Sequence, residues 1–187
     1  MKKILIAALL LAGITMNAQN KSLVVFFSHT GDNYAVGNIT VGNTKRVADF
    51  ITEITGADQF EVVAEKSYDF DYKTVCDIAK KEQEDGELPP FKGAVENIDQ
   101  YDVIYIGSPI WWGTYPQVMF TFFSKYDLNG KVLVPFTTHE GSGLGRTVSD
   151  LKKAYPEADI KSGLAIRGSE ASGSKKTVEN HIKKLGL

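Results

Sequence analysis

Hydroxyl and amide side chains gather at one turn of this 187-residue chain. The apolar run 22–27 ends at Ser28-His29-Thr30, and Gly42-Asn43-Thr44 then opens a periodic helix that continues through Ile51. Where a parallel strand hands over to a helix, free N–H groups and the positive end of the helix dipole favour an anion, commonly a phosphate. No lysine belongs to the turn itself, so hydroxyls and amides would do the holding. Capping of an ordinary first helix would suit the same residues.

Two further loops carry ligand-type chemistry. One reads Ser108-Pro109-Ile110-Trp111-Trp112-Gly113-Thr114-Tyr115-Pro116 and holds both tryptophans of the chain, side by side in a connection. Such rings can bury a planar ligand, stacking being worth about 0.5–1.5 kcal/mol beyond the area buried. The other reads Thr138-His139-Glu140-Gly141-Ser142-Gly143-Leu144-Gly145-Arg146, where glycines let the backbone approach a ligand closely. It is no dinucleotide fingerprint, because Arg146 stands where the third glycine belongs, and no nucleophile elbow, because Glu140 precedes Gly141-Ser142. His29, His139 and His181 are too few and too scattered for a metal centre, so no metal is expected.

The elements that must position these loops alternate. The spacing predicts strands over 22–27, 59–63, 101–107, 131–137 and 159–166, with helices over 43–51, 72–84, 116–125, 147–155 and 174–185. Pro135 predicts an interrupted ladder near the end of the fourth strand. Cys76, the one cysteine, falls in an apolar helical stripe and is expected in the core. The alternation predicts a doubly wound α/β domain: a five-stranded parallel sheet, order 2-1-3-4-5, with helices on both faces. The ligand crevice of such a sheet lies beyond the carboxyl ends of the strands, between strands one and three, where the three loops should meet.

The amino terminus reads differently. Lys2-Lys3, an apolar run over 4–14 and the small residue Ala18 before Gln19 make residues 1–18 a secretory signal peptide, leaving 19–187 as a single domain. The expected location is therefore periplasmic or secreted, with no stable membrane insertion after cleavage. A formal charge of −2 without a basic stripe argues against nucleic acid.

A hydroxyl turn for a phosphate, tryptophans for a planar ring and a glycine loop for that ring's polar edge together describe an FMN site. Over residues 21–187 the chain resembles the flavodoxin family. That family's S-x-T-G-N-T turn is split here into Ser28-His29-Thr30 and Gly42-Asn43-Thr44 by an insertion of residues 31–41. Pro109-Ile110-Trp111-Trp112-Gly113 and Thr138-His139-Glu140-Gly141-Ser142-Gly143 are similar to the P-x-W-W-G and T-H-E-G-S-G loops of a bacterial flavodoxin-like branch. The insertion offers a second turn-like stretch, Gly31-Asp32-Asn33, and Tyr34 with Val36-Gly37 as material for a cover over the ring.

The resemblance implies FMN as cofactor and electron transfer as function, to a redox protein partner or a small-molecule acceptor. Two other readings stay open: an NAD(P)H-dependent reductase of quinone-type molecules, and an exported binding protein without flavin. Near the flavin, a Glu140 carboxylate would lower the potential by opposing an anionic reduced ring, and His139 or backbone amides would offset it. A solvated carboxylate, or one serving a helix N-terminus, suits Glu140 equally.

Overall fold

The first strand, β1 (Ser22–Phe26), is apolar at every position after Ser22, so it can be satisfied only with both faces covered. The computed structural model, which describes residues 21–187, covers both. The signal-peptide reading over residues 1–18 lies outside the described residues.

After β1 come a short pair, β2 (Gly31–Asn33) and β3 (Gly37–Ile39), then helix α1 (Asn43–Thr55) and strand β4 (Asp58–Glu61). Next are β5 (Val63–Ala64), α2 (Tyr72–Asp85), β6 (Phe91–Lys92), β7 (Val103–Pro109) and α3 (Gln117–Lys125). The chain ends through β8 (Val132–His139), α4 (Thr147–Ala154), β9 (Asp159–Ile160), β10 (Leu164–Arg167) and α5 (Lys175–Leu185). The main sheet is parallel in the order β4-β1-β7-β8-β10, with β9 beside β8 on the same edge. In chain order this is the expected 2-1-3-4-5 arrangement.

Alternation along β1 divides the core. Leu23, Val25 and Phe27 face a cluster that includes Val118, Met119 and Phe122 of α3 and Leu151 of α4. Val24 and Phe26 face Val47, Ala48 and Ile51 of α1 and Val178 and Ile182 of α5. Among the described residues no helix is long and apolar enough to cross a membrane.

Three segments depart from the simple pattern. The expected strand 159–166 is broken, because Leu133 pairs with Ile160 while Phe136 pairs with Leu164. One extra residue of the edge strand is thus accommodated opposite Val134-Pro135, where the proline cannot donate to a ladder. The second strand is cut short, since Val63–Ala64 leave the sheet to pair antiparallel with Phe91–Lys92.

The insertion folds as an antiparallel hairpin, Gly31 opposite Ile39 and Asn33 opposite Gly37, turned by Ala35 and Gly37 at positive φ. Gly31-Asp32-Asn33 is therefore a hairpin strand and not a second anion turn. The hairpin meets the start of α2: the Tyr72 N–H donates to Asp32 Oδ2 at 3.0 Å, and the Tyr34 and Tyr72 rings lie 5.8 Å apart.

Candidate functional site

The hairpin loops out without separating the two halves of the interrupted turn. A Cβ on Gly42 would lie 2.2 Å from Ser28 Oγ and 2.6 Å from the His29 carbonyl oxygen, so only glycine fits between the halves. Ser28 Oγ accepts from the Lys45 N–H at 3.0 Å and so caps α1 from outside the helix. The Asn43 and Thr44 N–H groups, which precede that of Lys45 at the same helix end, have no protein partner among the described residues. The buried Thr44 hydroxyl meets that of Thr138 at 2.7 Å, tying the helix start to the end of β8.

The tryptophan loop is a tight turn. Trp111 and Thr114 exchange backbone hydrogen bonds of 2.9 and 3.1 Å, with Trp112 at φ +49° and Gly113 at φ +84°. Two positive φ values in succession define a type I′ turn, which Gly113 enters freely and Trp112 at a cost of about 1–2 kcal/mol. The turn sends the rings apart. Trp111 stands edge-on to Phe27 at 5.3 Å, Tyr68 at 5.1 Å and His29 at 5.8 Å. Behind it, both oxygens of the buried Glu82 carboxylate accept from the Tyr68 hydroxyl at 3.0 Å, and burial raises the Glu82 pKa. Trp112 swings outward, donates from Nε1 to the Cys76 carbonyl at 3.0 Å, and lies under Lys80 Nζ at 5.6 Å.

The glycine loop is knitted to the tryptophan loop. The Arg146 N–H donates to the Gly113 carbonyl at 2.8 Å, and Thr114 Oγ1 donates to Asp150. His139 Nδ1 accepts from the Gly141 N–H at 2.9 Å, which assigns its proton to Nε2. Glu140 Oε1 accepts from the Ser169 N–H at 3.0 Å, so the carboxylate serves the short 3-10 turn after β10, the structural role left open by the sequence. Gly168 packs against both Glu140 and Asn43, where a Cβ would lie within 2.7 Å of each side chain.

These loops enclose one cleft of about 780 Å³. Of the residues singled out in the sequence, His29, Asn43, Thr44, Pro109, Ile110, Trp111, Trp112, Gly113, Thr138, His139, Glu140, Gly141 and Ser142 line it. Ser28, Thr30 and Gly143 do not. Ser28 is spent on capping, Thr30 is exposed beside a separate, smaller hollow, and the Gly143 carbonyl accepts from Thr137.

The cleft also takes in Asn33 and Tyr34 of the inserted hairpin, and residues that sequence reasoning missed: Tyr72, Cys76 and Asp77 of α2, and Gly168. Tyr72, Val75, Cys76 and Ala79 fall at i, i+3, i+4 and i+7, which reads as a core stripe. Val75 and Ala79 do belong to the core, but Cys76 is only half-buried and faces the cleft, against expectation.

All three histidines have lowered pKa values, burial being the first cause at each, with the charge of Arg167 next at His139. His29 Nε2 is buried with no hydrogen-bond partner among the described residues. The folded protein binds these protons less readily than the unfolded chain, so the stability is complete above about pH 6.5 and is lost as pH falls through the lowered values. The thermal midpoint should therefore drop between pH 7.5 and 5.5. His139→Asn, whose carbonyl still accepts from the Gly141 N–H, should lose part of that slope; an unaltered slope would remove His139 from the account.

The profile of the flavodoxin family matches residues 21–185. The chain belongs to the flavodoxin family. No curated protein matches it. Among solved structures this flavodoxin is similar to a candidate flavoprotein of Bacteroides eggerthii, at 30% identity and a TM-score of 0.73, covering 90% of this chain and 99% of that one. A candidate flavoprotein of Bacteroides uniformis is similar at 29% identity and a TM-score of 0.71, over 88% and 98% of the two chains. A Lactobacillus acidophilus flavoprotein solved in complex with FMN is similar at 25% identity and a TM-score of 0.59, over 82% and 97%.

Proposed function

We propose that this flavodoxin binds one FMN per chain in the 780 Å³ cleft and acts in electron transfer. The carrying observation is the convergence of three distant loops on one space whose ends differ chemically. At one end are the Asn43 and Thr44 N–H groups at the start of α1, with the Thr44–Thr138 hydroxyl pair. That end fits a phosphate. The wall of Pro109, Ile110 and Trp111 fits a planar ring, and the His139, Gly141 and Ser142 side fits its polar edge. His29 is on the same lining, and its buried Nε2 has no partner among the described residues. The FMN complex of the Lactobacillus acidophilus flavoprotein supports the choice of flavin.

When bound, FMN supplies one- and two-electron chemistry at its ring system. The chain's own part is to hold the phosphate, exclude water from one ring face through Trp111, and present His139 as a neutral Nε2–H donor. By the same reading the protein works outside the cytoplasm, after removal of residues 1–18. A mature protein whose first residue lies before Gln19 would overturn that location.

Mixing the purified protein with FMN should quench flavin fluorescence at one equivalent. Unquenched fluorescence at saturating protein would instead favour the flavin-free binding protein. Thr44→Ala should weaken FMN by about 1.5–3 kcal/mol, the range for a hydrogen bond to a charged group. Riboflavin, lacking the phosphate, should be nearly indifferent to it. Equal losses for both ligands would move the phosphate away from the start of α1.

A further inference from the structure

Leu144 is the one aliphatic side chain in the loop Thr138–Arg146, whose other members are polar or glycine. It reaches into the break between β9 and β10. A Cβ on Gly163, which lies in that break, would stand 2.8 Å from both Leu144 methyls and 3.2 Å from Pro135 Cγ. The bare Gly163 backbone and the Pro135 ring thus form a notch for Leu144, and any larger residue at 163 would push it out. The interruption of the edge strand opposite Pro135 therefore has a use beyond relieving a missing donor.

The backbone around Leu144 is held by two buried threonines. Thr137 Oγ1 donates to the Gly143 carbonyl at 3.0 Å, and Thr147 Oγ1 to the Leu144 carbonyl at 2.6 Å. The Gly145 N–H closes the turn on the Ser142 carbonyl at 3.0 Å. A Cβ on Gly145 would lie 2.5 Å from the Gly113 carbonyl oxygen, so the same turn abuts the tryptophan loop. The carbonyls of Ser142, Gly143 and Leu144 are thus engaged, while the Ser142 and Gly143 N–H groups donate to no acceptor among the described residues. A loop this rich in glycine has much conformational freedom to lose. Holding it before a ligand arrives removes that cost from binding and aims its N–H groups in advance.

We propose that Leu144, seated between Gly163 and Pro135, is the positioning residue that fixes the Gly141–Gly143 backbone against the polar edge of the flavin ring. This rests on the FMN reading.

The test compares Leu144→Ala, Gly163→Ala, the double variant and Leu144→Met, with neither position on the lining of the cleft. Leu144→Ala should weaken FMN and riboflavin alike, about fivefold each, because the ring end is loosened and the phosphate end is not. Donors at the ring edge hold an electron-rich ring more tightly. Reduced FMN should therefore lose about threefold more affinity than oxidised FMN, and the midpoint potential of the bound flavin should fall. Gly163→Ala should act in the same direction, because the Leu144 methyls are the movable side of that contact. In the Leu144→Ala background it should add nothing. Leu144→Met, which can fill the same notch, should restore the parent potential. A Leu144 that only stabilises the fold would lower the urea midpoint and leave the flavin potential unmoved. That result, additive losses in the double variant, or a loss for FMN without one for riboflavin would overturn the proposal while parent quenching stays intact. Absence of quenching in the parent would instead overturn the FMN reading and this proposal with it.

Discussion

Replacing Gly42 by alanine should abolish tight FMN binding while leaving a folded, weakened protein. The added Cβ would lie 2.2 Å from Ser28 Oγ, which can rotate away, and 2.6 Å from the His29 carbonyl oxygen, which cannot. Gly42 has φ −63°, so the conflict is purely one of space. Relieving it must part the two halves of the interrupted turn and remove the Ser28 cap from the Lys45 N–H. Overpacking of this kind costs about 1–3 kcal/mol. Displacing the N–H groups at the helix start should lower FMN affinity at least about tenfold. Gly56→Ala is the comparison: its φ of +72° makes the change strained, but a Cβ there meets nothing within 4 Å and the cleft is remote. It should cost about 1 kcal/mol of stability and leave FMN affinity alone. Urea unfolding with flavin titration separates the two. A Gly42→Ala protein that binds FMN like its parent would mean that the turn tolerates opening, and that the phosphate is held elsewhere.

The two adjacent tryptophans should behave oppositely. Trp111→Ala removes the ring on which Phe27, Tyr68 and His29 converge edge-on, and it leaves the Tyr68–Glu82 pair facing a void. Full burial would make this a loss of about 3–5 kcal/mol; Trp111 is half-buried, so about 2–3 is expected. Trp112→Gly removes an exposed ring and its bond to the Cys76 carbonyl, but frees a backbone held at φ +49°. Those effects oppose each other, and the net change should lie within about 1 kcal/mol. Urea midpoints read through near-ultraviolet circular dichroism decide it. Equal losses for the two variants would show that the turn, and not the aromatic packing of Trp111, is the source of stability.

Much of this was legible beforehand, for identifiable reasons. The near-continuous apolar runs of β1 and β7 demand cover on both faces, and strands alternating with helices leave few ways to provide it. From that follows the strand order, and from the order the crevice beyond β1 and β7. The loops after β1, β7 and β8 then had to meet, which is why most residues singled out in them do line one cleft. Pro135 announced the break beside β8 because a missing N–H is a property of the residue, independent of its surroundings.

What the chain alone could not settle depends on partners far apart in sequence. Residues 31–41 carry no strong strand pattern, and only docking against α2 makes them a hairpin that brings Tyr34 to Tyr72. A stripe at i, i+3, i+4 and i+7 places Cys76 on the apolar face of α2, but whether that face meets core or cleft depends on where the Trp111–Thr114 turn lands. Glu140 looked equally suited to tuning a ring or serving a helix start, and the Ser169 N–H, 29 positions later, engages it. Residue type and period determined the sheet, its order and the loops that face the ligand. Tertiary packing decided which polar groups in those loops were already satisfied by the protein, and so which were left for the ligand.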